Sequence, residues 1–303
     1  MKLTPAALFV YRRPEHTRRV MQALAGNAEA SATPLVVFSD APREAAAAAD
    51  VEAVRAIIAA ATGFASITLV KRERNYGLSR SIISGIGDVL RRYESVIVLE
   101  DDLLPSMHFL SYMNQALSRY RNDSHVVSVH GYCYPVAGTL PDTFFLRGAD
   151  CWGWGTWRRG WAVYQPDGAT LLAELQARKL TRQFDLDGGY PYTQMLRDSV
   201  AGRNDSWAVK WHASAFLKGL LTLYPGRSQI QNIGVDGSGR HVAATDVFTH
   251  RHFGSPVAVQ DIAIEECERA RRAFAAFLRS TQASFTARLR RRLADMLVQR
   301  SPQ

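Results

Sequence analysis

The sequence predicts an α/β protein with a mostly parallel central sheet flanked by helices. Two observations carry the prediction. Over the first hundred residues, short apolar runs alternate with segments of helical spacing, a pattern that implies right-handed crossovers between parallel strands. The fourth apolar run, Val96 to Leu99, then ends abruptly in Glu100, Asp101 and Asp102. Parallel sheets bind ligands at the carboxyl ends of their strands. Adjacent acids there repel one another unless a cation or a donor-rich partner shares the crevice, and a hard divalent ion is the natural occupant.

Each element follows in order. Ala6 to Val10 reads as a strand, Pro14 to Leu24 as a helix and Leu35 to Phe38 as a second strand. An alanine-rich helix over Arg43 to Ala61 leads to a strand at Ile67 to Val70, a helix over Leu78 to Arg92 and the strand Val96 to Leu99. Beyond the acids a helix is predicted over Ser106 to Tyr120 and a strand at Val126 to Val129. Residues 131 to 168 are rich in Gly, Pro, Trp and Tyr. Helical signals return from Tyr192 to Leu220, followed by a strand at Leu221 to Tyr224, a glycine-rich loop from Gly234 to Gly239 and basic helices from Asp261 onward. The predicted organisation is one domain over residues 1–255 and a basic helical tail over 256–303.

The chain has 303 residues, 47% hydrophobic and 21% charged, which suits a soluble globular protein with a sizeable core. The apolar stretch near the N-terminus is too short to span a membrane and lacks a signal-cleavage pattern, so a cytoplasmic protein is expected. Cys133, Cys151 and Cys267 are odd in number and widely spaced, which gives neither a disulfide framework nor a metal-type pair. The formal charge of +9 suits a phosphate-bearing or anionic partner. Much of the excess lies near the C-terminus, where Phe285, Leu289, Leu293, Met296 and Leu297 fall at helical spacing among Arg288, Arg290, Arg291, Arg292 and Arg300. That segment reads either as a helix packed on the domain or as a peripheral membrane contact. No nucleic-acid recognition motif is present, and the acids would oppose a phosphate backbone.

In a parallel sheet, Tyr11, Arg12 and Arg13, Ser39 and Asp40, Arg72 to Asn75, and the acidic triplet all line one edge. No GxGxxG follows the first strand and no GxxxxGK[ST] occurs, so phosphate must be held by metal and arginine. The competing reading of Asp101 or Asp102 is a cap for the next helix. Asp205, before Ser206 and Trp207, reads either as an N-cap or as a general base. Trp152, Trp154 and Trp157 alternate with glycines, which fits a sugar-stacking platform or core packing. Gly234 to His241 fits either a loop closing over diphosphate with Arg240 and His241 or a surface turn. His250 and His252 are candidates for a metal or phosphate contact or for an ordinary strand.

Together these residues resemble the GT-A glycosyltransferases, in particular bacterial family 2-like enzymes and the type I N-acetylglucosaminyltransferase group. The shared order is strand, Glu100-Asp101-Asp102-Leu103, aspartate before tryptophan at Asp205, then a glycine-rich lid at Gly234 to His241. The resemblance implies Mn2+ or Mg2+ on Asp102, with Asp101 and Glu100 contacting the nucleotide-sugar. It implies that Arg13 and Asp40, with Tyr11, Asn75, Ser81, Trp154 and His241, hold the donor, a UDP-sugar, and that Asp205 is the base. Ser81 stands where the acetylglucosaminyl enzymes carry a histidine. The implied reaction is inverting transfer to a glycan or lipid-linked acceptor. The alternatives are a sugar-phosphate nucleotidyltransferase, which would ordinarily show a glycine- and lysine-bearing loop after the first strand, and a non-catalytic glycan- or nucleotide-binding module.

Overall fold

Four parallel strands form the first half of the molecule: β1 (Ala6–Val10), β2 (Pro34–Ser39), β3 (Ser66–Lys71) and β4 (Ser95–Glu100), in spatial order β3-β2-β1-β4. The structure is a computed structural model that describes residues 3–234, 247–250 and 253–282. β1 is buried at all five positions, as a parallel strand covered on both faces must be, whereas edge strand β3 alternates exposed and half-buried residues. Helices α1 (Pro14–Ala25), α2 (Ala48–Ala59) and α3 (Leu78–Arg92) make the crossovers. Pro14 opens α1 at a position where its missing N–H costs nothing. α3 buries Ile82, Gly85, Ile86, Val89 and Leu90 at spacings of three and four. A Cβ on Gly85 would lie 2.6 Å from the Phe9 ring, so glycine is what lets α3 lie close to the sheet. The alternation in this half is as the sequence predicts, except that the alanine-rich helix is shorter, with a 3-10 turn at Ala45–Ala47 before it.

The second half is less regular. It comprises β5 (Leu103–Pro105), α4 (Phe109–Arg119), β6 (Val126–His130), β7 (Thr143–Arg147), β8 (Trp154–Trp157) and α5 (Arg158–Trp161). There follow α6 (Gly168–Ala177), α7 (Thr181–Phe184), α8 (Tyr192–Val200), α9 (Trp207–Leu217), β9 (Leu221–Pro225) and β10 (Ile230–Asn232). The full sheet order is β3-β2-β1-β4-β8-β6-β9-β7, with β8 and β7 running against the other six. β5 and β10 pair antiparallel as a separate ribbon. One sequence expectation is corrected here: the helix after the acids begins at Phe109, not at Ser106. The helical signals from Tyr192 to Leu220 belong to α8 and α9, on either side of the polar turn before Trp207, and the Gly-, Pro-, Trp- and Tyr-rich region contains β7 and β8.

The tryptophan segment is core. Trp154 is 0% exposed, and its ring lies 5.6 to 5.9 Å from those of Trp211, Trp207 and Trp161. Packing also explains the glycines. Gly131 N–H donates to the Gly153 carbonyl, Gly153 has φ +65° with Ile230 against it, and a Cβ on Gly155 would meet Met113, the Val96 carbonyl and Leu117. A sugar platform on Trp154 is therefore ruled out, because no face of its ring reaches solvent.

Residues from 253 onward return to the sheet. Cys267 N–H donates to the Phe145 carbonyl, and the helix over residues 268–282 buries Ala270, Phe274, Ala275 and Leu278. Phe274 packs edge-on against Phe144, Tyr134 and Tyr224. Residues 286 to 303, where the basic amphipathic helix is predicted, lie outside the described residues. Among the described residues no helix is long and apolar enough to cross a membrane.

Replacing Gly153 with Ala adds a left-handed penalty and places a Cβ 2.5 Å from Ile230. The expected loss is about 2–4 kcal/mol. Gly138→Ala, at φ +82° with nothing within 4 Å, should lose only the backbone part. Urea unfolding of both variants measures the difference.

Candidate functional site

The register of β1 and β4 builds the site. Phe9 is level with Glu100, so the residues that follow the two strands emerge side by side. Tyr11 N–H donates to Asp101 Oδ2 (3.2 Å), and the Arg13 guanidinium donates to both Asp101 Oδ1 and Asp102 Oδ2, the latter at 2.9 Å. Neither acid caps a helix: α4 starts at N-cap His108 without a side-chain cap. Burial, reinforced by the charges of Asp102 and Asp101 and opposed by Arg13, holds the Glu100 carboxyl well above the usual range. Burial also lifts Asp101 to about 6 against the pull of Arg13. For Arg13, burial favours the neutral form, but the two carboxylates outweigh it and raise the guanidinium pKa.

Asp101 is 3% exposed, and both of its oxygens are engaged. Asp102 is half-buried, and only its Oδ2 accepts a hydrogen bond. Its main-chain carbonyl accepts from Ile233 N–H (2.8 Å), which brings the end of β10 across the triplet. Gly234 is required there, because a Cβ would fall 2.3 Å from Asp102 Oδ2. His16 on α1 reaches the Ile233 carbonyl from the other side (3.3 Å). No three His, Cys, Asp or Glu side chains converge among the described residues. One available carboxylate nevertheless fits a divalent ion of the Mg2+ type, which takes one or two protein carboxylates and completes its shell with water and substrate phosphate.

The remaining predicted residues divide. Asp40 lies at the edge but is 6% exposed, and its carboxylate accepts the backbone N–H groups of Ala41, Tyr76 and Gly77. It shapes the loop before α3, which is a scaffolding task. Asn75 donates to the Ala41 carbonyl and Tyr11 OH accepts from Arg43 N–H, so both join the strand-end loops. Ser81 is 4% exposed within α3. Asp205 is exposed on the loop before α9 and is not the N-cap. Ser206 caps the helix, its hydroxyl accepting from Val209 N–H. Through Trp207 and Trp211, α9 packs on Trp154, whose β8 position is level with Val98 of β4. His250 bonds the Cys133 carbonyl, a structural contact. His241 and His252, with Arg240, lie outside the described residues.

Sequence reasoning missed Asp150. Its side chain is 23% exposed, Oδ1 accepts from Cys151 N–H (2.8 Å), and Oδ2 lies 3.7 Å from buried His130 Nε2. Burial first, and then the Asp150 charge, raise the phenol pKa values of Tyr134, Tyr190, Tyr192 and Tyr224. The neighbouring Cys151 thiol is raised by burial and then by Asp150, Glu100 and Asp102. A lone Asp in a loop carries no spacing signal.

No family model matches the chain, and no curated protein matches it. Solved structures do. Residues 1–349 of TarS from S. aureus align at 10% identity over 75% of this chain and 60% of that one, with TM-score 0.39. The mannosyltransferase PcManGT from Pyrobaculum calidifontis, solved with GDP-Man and Mn2+, aligns at 13% identity over 71% of this chain and 70% of that one, with TM-score 0.36. TarS 1–349 solved with UDP-GlcNAc aligns at 11% identity over 75% of this chain and 58% of that one, with TM-score 0.38. The chain thus spans about 60% of the length of the TarS fragment.

Removing Arg13 leaves two half-neutralised acids in a poorly solvated corner. Arg13→Ala should lose about 3 kcal/mol of stability, checked by denaturant titration, with part of the loss recovered by Asp101→Asn in the same chain. A second prediction concerns pH. Burial lowers His212 from 6.5 to about 4, against the opposing influence of Asp150 and the Ala149 backbone. Between those values the unfolded chain binds a proton that the folded chain does not. Stability should therefore fall as pH drops through that window, by about 3 kcal/mol in all, and His212→Gln should flatten the slope.

Proposed function

We propose that this chain is a metal-dependent inverting glycosyltransferase that moves a sugar from a nucleoside-diphosphate sugar, a UDP-sugar in the first instance, to a hydroxyl of a glycan or lipid-linked acceptor. The observation that carries this reading is the junction of β1 and β4, where Arg13, Asp101 and Asp102 interlock at the carboxyl edge of a parallel sheet. That edge is where such folds bind nucleotides, and the interlocked set can exchange an internal ion pair for a phosphate and its counter-ion.

In this reading Asp101 stays with Arg13 and fixes its orientation, so one face of the guanidinium is presented to a diphosphate. Asp102 holds the divalent ion, which when bound neutralises charge on the departing diphosphate. Asp40 keeps the loop at Asn75 to Gly77 in the shape that receives the nucleoside. Asp205, relieved of capping by Ser206, takes the proton of the acceptor hydroxyl. The acceptor oxygen attacks the anomeric carbon as the bond to diphosphate breaks, which inverts that centre without an enzyme-bound intermediate. Residues 286 to 303 are proposed to contact an anionic lipid surface on the cytoplasmic side.

Thermal unfolding with UDP- and GDP-sugars, each with Mn2+ or with chelator, tests the reading. The expected outcome is stabilisation by one nucleotide series that disappears with chelator and in Asp102→Ala. Asp205→Asn should keep that stabilisation while turnover falls by about a hundredfold or more. No response to any nucleotide-sugar, or equal loss of binding in Asp205→Asn, would count against the assigned roles.

A further inference from the structure

Next to Cys151 lies a second polar centre. Asp150, Tyr134, Tyr192, Tyr224 and His212 line a cavity of about 20 Å3, together with Leu186, Phe274 and Arg147, whose guanidinium is turned to the Phe216 carbonyl. That is room for one water-sized group. The Tyr192 ring lies tilted at 4.6 Å from both Tyr190 and His212, which makes an aromatic wall beside the carboxylate. Two polar atoms at this space lack a protein hydrogen bond. Asp150 Oδ2 makes no hydrogen bond. His212 bonds the Ala149 backbone through Nδ1, which leaves its buried Nε2 unpartnered. His130, 0% exposed, has both ring nitrogens unpartnered, with Nε2 3.7 Å from Asp150 Oδ2. Among the described residues no lysine or arginine forms an ion pair with Asp150.

A buried imidazole nitrogen without a partner, beside a half-buried carboxylate oxygen and set among aromatic faces, is satisfied by a polar ligand group that hydrogen-bonds both. We propose that this chamber is a sugar subsite: a donor head group, hydroxyl or ammonium, seats between Asp150 Oδ2 and His212 Nε2, while the pyranose ring lies against Tyr190 and Tyr192 at the half-buried mouth. Its position beside Cys151, in the segment that β8 carries along the end of β4, sets it near the triplet. Calling that sugar the acceptor rests on the transferase reading; its binding does not.

Saturation-transfer NMR and calorimetry with the full chain, using D-glucose, D-galactose, D-mannose and D-glucosamine as probes, test the subsite. At least one sugar should bind wild type and bind Asp150→Asn about tenfold more weakly or worse, the loss expected for a hydrogen bond to a charged group. Preference for glucosamine over glucose assigns the head group as ammonium, and the reverse assigns it as hydroxyl. If the Asn variant does not fold, Tyr190→Ala at the mouth should show the same loss. Equal binding by wild type and variant, or no binding by wild type, would overturn the subsite and leave the cavity to a water. The nucleotide response is read in the same samples. Sugar binding that depends on Asp150 without any nucleotide response would sink the transferase reading and leave the subsite standing.

Discussion

The interlock of Arg13 with Asp101 and Asp102 is the constraint around which the site is organised. Three consecutive carboxylates at a buried strand end cannot all be charged without a counter-ion, and the fold supplies one from the adjacent parallel strand. Because β1 and β4 are level at Phe9 and Glu100, Arg13 and the triplet leave the sheet at the same height. Glu100 responds differently, its carboxyl driven towards the neutral form by burial and by its two neighbours. One guanidinium thus serves two acids, and only Asp102 retains an oxygen without a hydrogen bond. Such a set is stable enough to fold and still open to a ligand that brings its own positive charge.

The sheet changes character at this point. β3, β2, β1 and β4 are a regular parallel layer, whereas β8 enters antiparallel between β4 and β6. That insertion brings Trp154 level with Val98 and hence the segment 149–153 alongside the triplet. The ribbon of β5 and β10 lies beside the same edge and returns Ile233 and Gly234 across Asp102. The strand-end site is therefore bounded by three pieces of chain that are far apart in sequence, and glycines at 131, 153 and 234 permit the close approaches.

Much of the first half was legible because burial and periodicity agree there. Strand β1 is apolar throughout since both faces are covered, and α3 shows its inward stripe without interruption. The acids were legible as a site for the same reason, since charge at the end of an apolar run contradicts its surroundings. The second half was not. β5 and β10 have three residues each and β8 has four, too few to show a period. The glycines of β8 read as openings for a ligand, yet they serve backbone contact inside the core, where no composition rule separates the two uses. Asp40 lies at the predicted edge, but sequence cannot show that its carboxylate accepts three backbone N–H groups. Asp150 was invisible, since the phenols and imidazoles around it come from β6, α8, α9, β9 and two separate loops.

Asp102 and Asp150, each with one oxygen free of protein hydrogen bonds, differ in what surrounds them. Asp102 shares an arginine and stands where phosphate and a divalent ion would meet it. Asp150 has aromatic rings and neutral imidazoles, a setting that rejects a second anion and favours an uncharged or cationic donor. Cys151 stands in the segment that β8 carries along the end of β4, and both charges act on its thiol. Their negative fields add, so an anion is disfavoured near Asp150 and favoured on the side where Arg13 stands.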